Sequence, residues 1–432
     1  MNKQQLATTT LDSRLNYTLA HADIAPLDLG PEPDPAKVEL GQLLFFDKEL
    51  SGNRDISCAT CHHPDFAGAD GRSLPVGTGG TGLGPRRVLG KERNVVPRNA
   101  PELFNRGSAE WVTMFWDGRI AADVYGDFVN PADELLPSGL DSALAAQAMF
   151  PPTSRDEMRG DEGDISHQGG LNEIALADSE LPTETWELLT KRLMSIPEYE
   201  ALFAEVYPEL APEEIGFQHA ANALAAFEID AFSFNDSPWE TYLAGNTTAL
   251  TENEKQGALL FYGKANCVAC HSGSLMTDQA YHNIAVPQLG PGKANPNGFD
   301  FGRFLETNLA ADRFAFRTPP LANISLTAPY MHNGAYATLE SAVRHHLNVP
   351  AALADYDMMQ LDESLRESCK LDENSLAFLL NTLDDEMQTA IELTDIEIGQ
   401  LVAFLNTLTS PSAADLAHLV PESVPSGLPI ND

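Results

Sequence analysis

The sequence has few basic residues, few cysteines and no long apolar run. Lys and Arg number 26 against 63 Asp and Glu, which gives a formal net charge of −37. This balance argues against a nucleic-acid-binding protein, because phosphates are neutralised by Lys and Arg. No stretch is apolar over the roughly 20 residues that a helix needs to span a bilayer. Strand-like alternation of apolar and polar residues is also scarce, which predicts a mainly α fold.

The acidic charge leaves two explanations open. A negative surface would attract a small basic electron carrier, and simple solubility accounts for the charge equally well. Of the five cysteines, four fall into two short motifs and Cys369 stands alone. A single cysteine is most often a small buried apolar residue, so we assign it no role.

Both motifs read C-x-x-C-H, which is the attachment pattern of a c-type haem. Residues three apart lie on one face of a helical turn, so both thiols can reach the vinyl groups of one porphyrin. The adjacent histidine then binds the iron. One such motif could also be half of a zinc site, but two copies in one chain favour haem. The sequence therefore predicts two covalent haem c groups, held by Cys58, Cys61, His62, Cys267, Cys270 and His271.

Each motif follows a segment in which a glycine precedes a Leu-Leu-Phe run. These segments predict helices over Ala36–Phe46 and Thr251–Phe261, the second starting with a capping box of Thr251 and Glu254. The repeat predicts two cytochrome c-like haem domains with long loop insertions. We assign 1–35 to an N-terminal extension, 36–240 and 241–410 to the two domains, and 411–432 to a C-terminal tail. The boundary between the domains is expected near Pro238–Gly245.

The remaining segments differ in periodicity. Residues 186–234 predict helices that break near Pro197 and Pro208, and residues 395–408 predict a closing amphipathic helix. Residues 117–141, 160–182 and 278–313 are expected to be loops or short helices, because Gly, Pro and acidic residues interrupt them.

Four further segments resemble those of the bacterial di-haem cytochrome c peroxidases, a family that includes the MauG-type enzymes, which oxidise a partner protein. The segments are Pro97–Pro101, Phe115–Arg119, Pro319–Asn323 and Leu326–Gly334. The resemblance covers roughly residues 36–158 and 241–409, with insertions that shorter members lack. It implies a peroxidatic haem in the first domain and an electron-transfer haem in the second.

The resemblance implies a Gln, a Pro and a Glu on the open side of the first haem, matched here by Gln147, Pro151 and Glu157. Splitting the O–O bond of peroxide requires a base that takes a proton from one oxygen and returns it to the other. A carboxylate in a confined pocket can do this, and an amide can orient the bound oxygen. Glu134 is the rival base, although its offsets from the Gln and Pro do not match. For Glu157 itself, the alternative is a solvated helix carboxylate.

Many members of the family close the first haem at rest with a histidine from the loop after the motif. Residues 64–96 contain no histidine, and His63 directly follows the proximal ligand and is expected on the wrong side of the ring. We therefore expect the first haem to be five-coordinate or water-bound in the resting protein.

At the second haem, the family carries a Met, or a Tyr in the MauG type, on the helix after the Tyr330–Gly334 turn. Counting along this helix puts His346 at that position. The helix also has its apolar residues at i, i+3 and i+4 from Leu339, so that His346 completes the buried face at i+7. We predict that His346 binds the iron; Met331 and Met276 are alternative ligands, and a hydrogen-bonded core histidine is the other explanation. A His in place of Met lowers the haem potential.

The resemblance also implies a tryptophan between the haems and a calcium ion. Trp116 matches that tryptophan, whose ring would shorten the gap between redox centres; ordinary core packing is the alternative. The side chain of Asn99 and the carbonyl groups of Thr327 and Pro329 match the calcium ligands and suit a hard cation.

Three functions follow as alternatives. The first is reduction of hydrogen peroxide at the first haem with electrons from a small cytochrome c or copper protein, relayed through the second haem. The second is a MauG-like oxidation of a partner protein, which the missing loop histidine and His346 favour. The third is a non-catalytic di-haem electron-transfer protein with both irons closed. Family members are often homodimers, which extends to this chain only as a resemblance.

The location is expected to be the periplasm, because haem is attached to c-type proteins outside the cytoplasm. No apolar signal sequence follows Met1. We therefore expect this chain to be a mature or trimmed form of an exported protein.

Overall fold

The computed structural model describes residues 10–22, 24–123, 125–178, 180–295 and 297–430. These residues fold mainly into α-helices, which confirms the predicted class. None of the described helices is both long enough and apolar enough to cross a membrane. The helices are α1 Leu11–His21, α2 Pro35–Phe46, α3 Cys58–Cys61, α4 Ala143–Ala148, α5 Pro182–Met194, α6 Pro197–Val206, α7 Phe217–Ala231, α8 Pro238–Leu243, α9 Glu252–Leu259, α10 Phe304–Thr307, α11 Leu339–Leu347, α12 Val349–Ala354, α13 Glu363–Arg366, α14 Glu373–Leu380 and α15 Asp395–Asn406.

Two small antiparallel sheets accompany the helices. The first has the order β1-β2-β3, and the second pairs β4 with β5. Each strand has two or three residues, which is too short for an alternating pattern to reveal it in the sequence. The strands are β1 Thr113–Met114, β2 Ile120–Ala122, β3 Phe128–Val129, β4 Tyr281–His282 and β5 Phe316–Arg317.

The chain divides into two compact units, each with one C-x-x-C-H motif. Among the described residues, the N-terminal unit comprises 30–233 together with 415–430, and the C-terminal unit comprises 10–29 together with 234–414. This division differs from the predicted one at both ends. The segment expected to be an extension contains α1, and the expected tail belongs to the N-terminal unit.

The apolar residues of these segments explain the difference. Leu15 and Leu19 are one turn apart on α1, and both are buried in the core of the C-terminal unit. The expected boundary at Pro238–Gly245 is largely α8, whose Trp239 and Tyr242 are buried in the same core. The chain instead changes unit between Ser233 and Phe234.

The duplicated helices make the same close contact in each unit. In the N-terminal unit α2 packs on α7, and a Cβ atom on Gly41 would lie 1.9 Å from the carbonyl oxygen of Ala223. In the C-terminal unit α9 packs on α15, and a Cβ atom on Gly257 would lie 1.9 Å from the carbonyl oxygen of Gln400. Only glycine permits such an approach of two backbones. The repeated glycine therefore allows the helix crossing that precedes each motif.

The starts of α2 and α9 are both capped, and the sequence predicted the cap of α9. The side chain of Asp34 accepts a hydrogen bond from the backbone N–H of Ala36 at 2.8 Å, with Pro35 in the first turn of α2. The capping box of Thr251 and Glu254 is present at α9, and the chain continues beyond it as a π-helical turn over Leu260–Lys264.

The longest predicted loop of the C-terminal unit contributes to a second small core. Ala285 from this loop and Phe314, which directly follows it, pack with Val349, Leu353 and Leu379 from α12 and α14. The core is rich in phenylalanine, and Phe299, Phe301 and Phe378 pack at its border.

Candidate functional site

The first motif forms a single helical turn, as predicted. The backbone N–H of His62 donates to the carbonyl oxygen of Cys58 at 2.9 Å. Nδ1 of His62 lies 3.0 Å from the carbonyl oxygen of Gly68, which can only accept, so Nδ1 carries the proton. This leaves Nε2 with its lone pair, the arrangement that metal-binding histidines adopt. Burial lowers the pKa of His62 and keeps the ring neutral.

The loop after the first motif is held by many hydrogen bonds. Arg87, which is buried, donates to the carbonyl oxygens of Val76, Gly77 and Gly82 at 2.7, 3.0 and 2.8 Å. The N–H of Gly79 donates to Asp55 at 2.6 Å. These bonds keep the loop in one arrangement.

The same loop is bonded to the segment that contains Glu157. The N–H of Thr78 donates to the carbonyl oxygen of Glu157 at 2.8 Å, and a Cβ atom on Gly77 would lie 1.9 Å from the carbonyl oxygen of Asp156. The ring of His63, which directly follows the predicted proximal ligand, packs against the rings of Phe46 and Phe66.

The predicted base Glu157 lies close to the first motif. It is half-buried on a π-helical turn over Arg155–Arg159. Burial raises the pKa of the Cys61 thiol, and the negative charges of Asp70 and Glu157 raise it further. The rival Glu134 is exposed on a short 3₁₀ turn, where water solvates its carboxylate.

Gln147 and Pro151 lie in the same stretch of chain as Glu157. Gln147 is half-buried near the end of α4, and its carbonyl oxygen accepts from the N–H of Phe150 at 3.1 Å. Pro151 is half-buried and begins a 3₁₀ turn over Pro151–Thr153.

Two buried acids near the first motif escaped the sequence analysis. Burial raises the pKa of Asp70 to about 7 and that of Glu228 to about 8. Glu228 also raises the pKa of the Cys58 thiol, and its Oε2 atom has no hydrogen-bond partner among the described residues. A single Glu within the apolar run of α7 is a signal that could have revealed it.

Trp116 is fixed by its neighbours in the Phe115–Arg119 segment. Its indole N–H donates to the carbonyl oxygen of Asn99 at 2.9 Å. The next residue, Asp117, is fully buried and forms ion pairs with Arg98 at 2.5 Å and Arg119 at 3.0 Å. The two ion pairs compensate the buried charge of Asp117, and loss of either arginine would leave this carboxylate with one cationic partner. The ion pairs therefore stabilise the conformation around Trp116.

Asn99 holds its amide in a defined orientation. Nδ2 donates to the carbonyl oxygen of Arg72 at 2.7 Å, so the side-chain oxygen remains as an acceptor. Asn99 belongs to the N-terminal unit, and Thr327 and Pro329 belong to the C-terminal unit. The hydroxyl of Thr327 donates to the carbonyl oxygen of Ile324 at 3.2 Å.

The second motif differs from the expected α-helical turn. Cys267–Ala269 form a 3₁₀ turn after Asn266, which has the left-handed φ of 53°. Asn tolerates this conformation because its side chain is short and polar. The motif still orients its histidine in the same way, since Nδ1 of His271 lies 3.1 Å from the carbonyl oxygen of Met276.

His346 faces His271. Their ring centroids are 6.4 Å apart with an interplanar angle of 61°. Bonds from imidazole nitrogen to a metal are about 2.0–2.1 Å long, so two imidazoles on opposite sides of one metal hold their centroids about 6 Å apart. Nδ1 of His346 donates to the carbonyl oxygen of Ala342 at 2.8 Å, which leaves Nε2 as the lone-pair donor. The pair fits a six-coordinate haem iron.

The environment keeps both rings neutral, as metal ligands must be. Burial and the neighbouring His346 lower the pKa of His271 to about 4, and burial lowers the pKa of His346. The alternative ligand Met276 uses its carbonyl group to hold His271, and Met331 lies in the turn before α11 with a φ of 77°.

His345 has a different environment from its neighbour, as the helical periodicity predicts. Its Nε2 donates to the carbonyl oxygen of Ile284 at 2.7 Å, and its Nδ1 lies 2.7 Å from the hydroxyl of Tyr336. Burial lowers its pKa to about 3. Both ring nitrogens of His345 therefore form hydrogen bonds to other groups of the protein.

An ionic cluster beside the second motif was not predicted. His282 lies between Asp278 at 3.0 Å and Asp384 at 2.5 Å, and these bonds raise its pKa to about 12. Cys270, Asp278 and His282 could together reach one metal ion. Because Cys270 belongs to the haem attachment motif, the cluster is better described as an imidazolium between two carboxylates.

The chain is similar to known di-haem proteins along most of its length. The family described as di-haem cytochrome c peroxidase matches residues 35–248. The methylamine utilization protein MauG of Methylorubrum extorquens is 31% identical over 347 residues, which are 80% of this chain and 76% of that protein. The cytochrome c551 peroxidase of Pseudomonas aeruginosa is 32% identical over 305 residues, 71% of this chain and 70% of that protein.

Solved structures show the same fold. A MauG-like protein associated with microbial copper homeostasis aligns with a TM-score of 0.61 and 26% identity, covering 92% of this chain and 96% of that chain. The di-haem peroxidase BthA from Burkholderia thailandensis aligns with a TM-score of 0.58 and 22% identity, covering 90% and 91%.

Proposed function

Because the chain belongs to the di-haem cytochrome c peroxidase family, we propose that it reduces hydrogen peroxide at the first haem with electrons that arrive through the second. It is an oxidoreductase of the peroxidase type with two haem c groups. The observation that supports our division of roles is the difference between the motifs. His271 faces His346 at 6.4 Å, whereas the loop after His62 has no histidine and is pinned by Arg87.

The bound haems supply the redox chemistry that cleaves peroxide. Glu157 takes the proton from the inner oxygen of peroxide and returns it to the outer one, which leaves as water. Gln147 orients the substrate with its amide, and Pro151 limits the space beside it. Support for these roles comes from the electrostatic effect of Glu157 on Cys61 and from the short stretch of chain that carries all three residues.

Trp116 is proposed as the aromatic bridge for electrons between the haems. Its support is the indole hydrogen bond to Asn99 and the ion pairs of Asp117, which keep the ring in one orientation. A fixed ring keeps the electron-transfer distance constant.

The ferric protein is expected to contain one high-spin and one low-spin haem. No histidine in residues 64–96 is available to close the first haem, which would leave its iron five-coordinate or water-bound, whereas His271 and His346 together would make the second iron low-spin. Low-temperature electron paramagnetic resonance of the oxidised protein measures both states. A spectrum with only low-spin signals would contradict an open first haem and would favour a pure electron-transfer protein.

A MauG-like activity is the second candidate, in which peroxide oxidises a partner protein. The missing loop histidine and the non-Met residue at His346 favour it. Peroxide consumption with a reduced small cytochrome c or copper protein as donor supports the first function. Peroxide-dependent oxidation of a partner protein that purifies with this chain supports the second.

We also propose a calcium site that uses Asn99, Thr327 and Pro329. Its support is the hydrogen bond from Nδ2 of Asn99 to the carbonyl oxygen of Arg72, which leaves the side-chain oxygen as the group that could bind a hard cation. Dialysis against a calcium chelator is expected to reduce peroxidase activity and readdition of Ca²⁺ to restore it. Asn99→Ala should lose the bound metal, as measured by elemental analysis, and added Ca²⁺ should no longer restore its activity. Full activity without bound calcium would refute the site.

The two units are proposed to be cytochrome c-like haem domains of a periplasmic protein, with a homodimer as its assembly. Covalent haem attachment supports the location, and the repeated helix crossing at Gly41 and Gly257 supports the domains.

A further inference from the structure

A buried tyrosine is hydrogen-bonded to a histidine next to the second haem site. Tyr336 is 3% exposed, and its hydroxyl lies 2.7 Å from Nδ1 of His345. Nε2 of His345 lies 2.7 Å from the carbonyl oxygen of Ile284 and must donate to it. Nδ1 is therefore the acceptor, and the hydroxyl of Tyr336 donates to it.

This pair is joined to the second haem site by ring contacts. The centroid of Tyr336 is 5.0 Å from that of His345, and the centroid of His345 is 6.1 Å from that of His346. His346 in turn faces His271. Electrons can pass over such short gaps between aromatic rings.

We propose that Tyr336 is a redox-active side chain of the second haem site, with His345 as its proton acceptor. The inference rests on the proposed peroxide reaction, which supplies the oxidant. Tyr336 gives one electron to the peroxide-oxidised protein, and its phenolic proton moves along the existing hydrogen bond to Nδ1 of His345. The products are a neutral tyrosyl radical and an imidazolium ion. One electron from a donor, with return of the same proton, restores the pair.

The hydrogen bond explains why this tyrosine is selected. An oxidised phenol is a strong acid, so the electron leaves readily only where a base takes the proton. The hydroxyl of the neighbouring Tyr356 donates to the carbonyl oxygen of Ala335, which cannot take a proton. The hydroxyl of Tyr262, near Cys267, has no partner among the described residues.

Such a residue would hold one oxidising equivalent away from the haem when no donor is bound. The ring of Tyr356 lies 5.4 Å from that of Tyr336 and is only half-buried, so a donor could approach from this side. Tyr336 would therefore allow peroxide to react before an electron donor binds.

Freeze-quenched electron paramagnetic resonance of the holoprotein tests this. Peroxide without a donor is expected to produce a radical signal that narrows when the tyrosines carry ring deuterium. Tyr336→Phe and His345→Asn are expected to lose the signal, the second because an amide cannot take the proton. Tyr262→Phe is the matched control, since it removes a buried hydroxyl near the same haem that lacks an acceptor, and it should keep the signal.

The ferric low-spin signal of each variant reports whether the second site is intact, and the change in the haem absorption on adding peroxide reports the first reaction. A radical that persists in correctly folded Tyr336→Phe overturns the proposal, as does wild-type protein that reacts with peroxide but forms no tyrosyl radical. Wild-type protein whose haem absorption does not respond to peroxide would instead overturn the proposed function and this inference with it.

Discussion

Replacing Glu157 with glutamine is expected to lower peroxide turnover by about 10²–10⁴-fold. Glutamine has nearly the same size and can still hydrogen-bond to peroxide. It cannot accept a proton and return it, so the O–O bond must break without acid–base help. The measurement is steady-state peroxide consumption with a reduced small cytochrome c as donor.

Glu134→Gln is the matched control, because Glu134 is an exposed glutamate of the same unit. It should leave turnover unchanged. Haem content and the resting spectrum are expected to be the same in both variants, since neither residue is a haem ligand. Wild-type turnover in Glu157→Gln would exclude Glu157 as the base, and loss of turnover in Glu134→Gln would move the role to the rival residue.

Replacing His346 with alanine is expected to convert the second haem from low spin to high spin. The variant removes one of the two imidazoles that face each other at 6.4 Å, so His271 would be the only imidazole left to bind the iron. Optical and paramagnetic resonance spectra of the ferric protein measure the change. His346→Met should stay low-spin and raise the haem potential by on the order of 0.1 V, within the range of about 0.8 V that axial ligands span.

The two methionines that compete for the same role provide the controls. Met276→Ala and Met331→Ala are expected to leave the low-spin signal in place. If either variant became high-spin while His346→Ala did not, the ligand assignment would be wrong. A potential measured by redox titration then shows whether the second haem stabilises ferric iron, as a second histidine predicts.

Local patterns were sufficient for the helix that precedes each motif, whereas α1 and α8 lie in segments expected to be an extension and a domain boundary. Apolar residues on one side predicted the helix α2, and Thr251 with Glu254 predicted the start of α9. Apolar periodicity also separated His346 from His345, because two adjacent residues on a helix point about 100° apart. These features depend on residues within one or two turns of each other, which a sequence displays directly.

Features that join distant segments were not visible. Nothing near Tyr336 in the sequence indicates that its hydroxyl meets His345, and Asp384 lies 102 residues from the His282 that it binds. Burial likewise separates Glu157 from the exposed Glu134, and burial is a property of the packed unit.

The amino-acid sequence by itself predicted that two haems are attached at the two C-x-x-C-H motifs and which helices precede them, because these predictions depend on short motifs and on helical periodicity. Only the tertiary structure decided what surrounds each motif. The loop after the first motif is held by hydrogen bonds from Arg87, and His346 faces the histidine of the second. Coordination and proton transfer act over a few ångströms between groups that are far apart in the chain. Those distances exist only after the helices have packed.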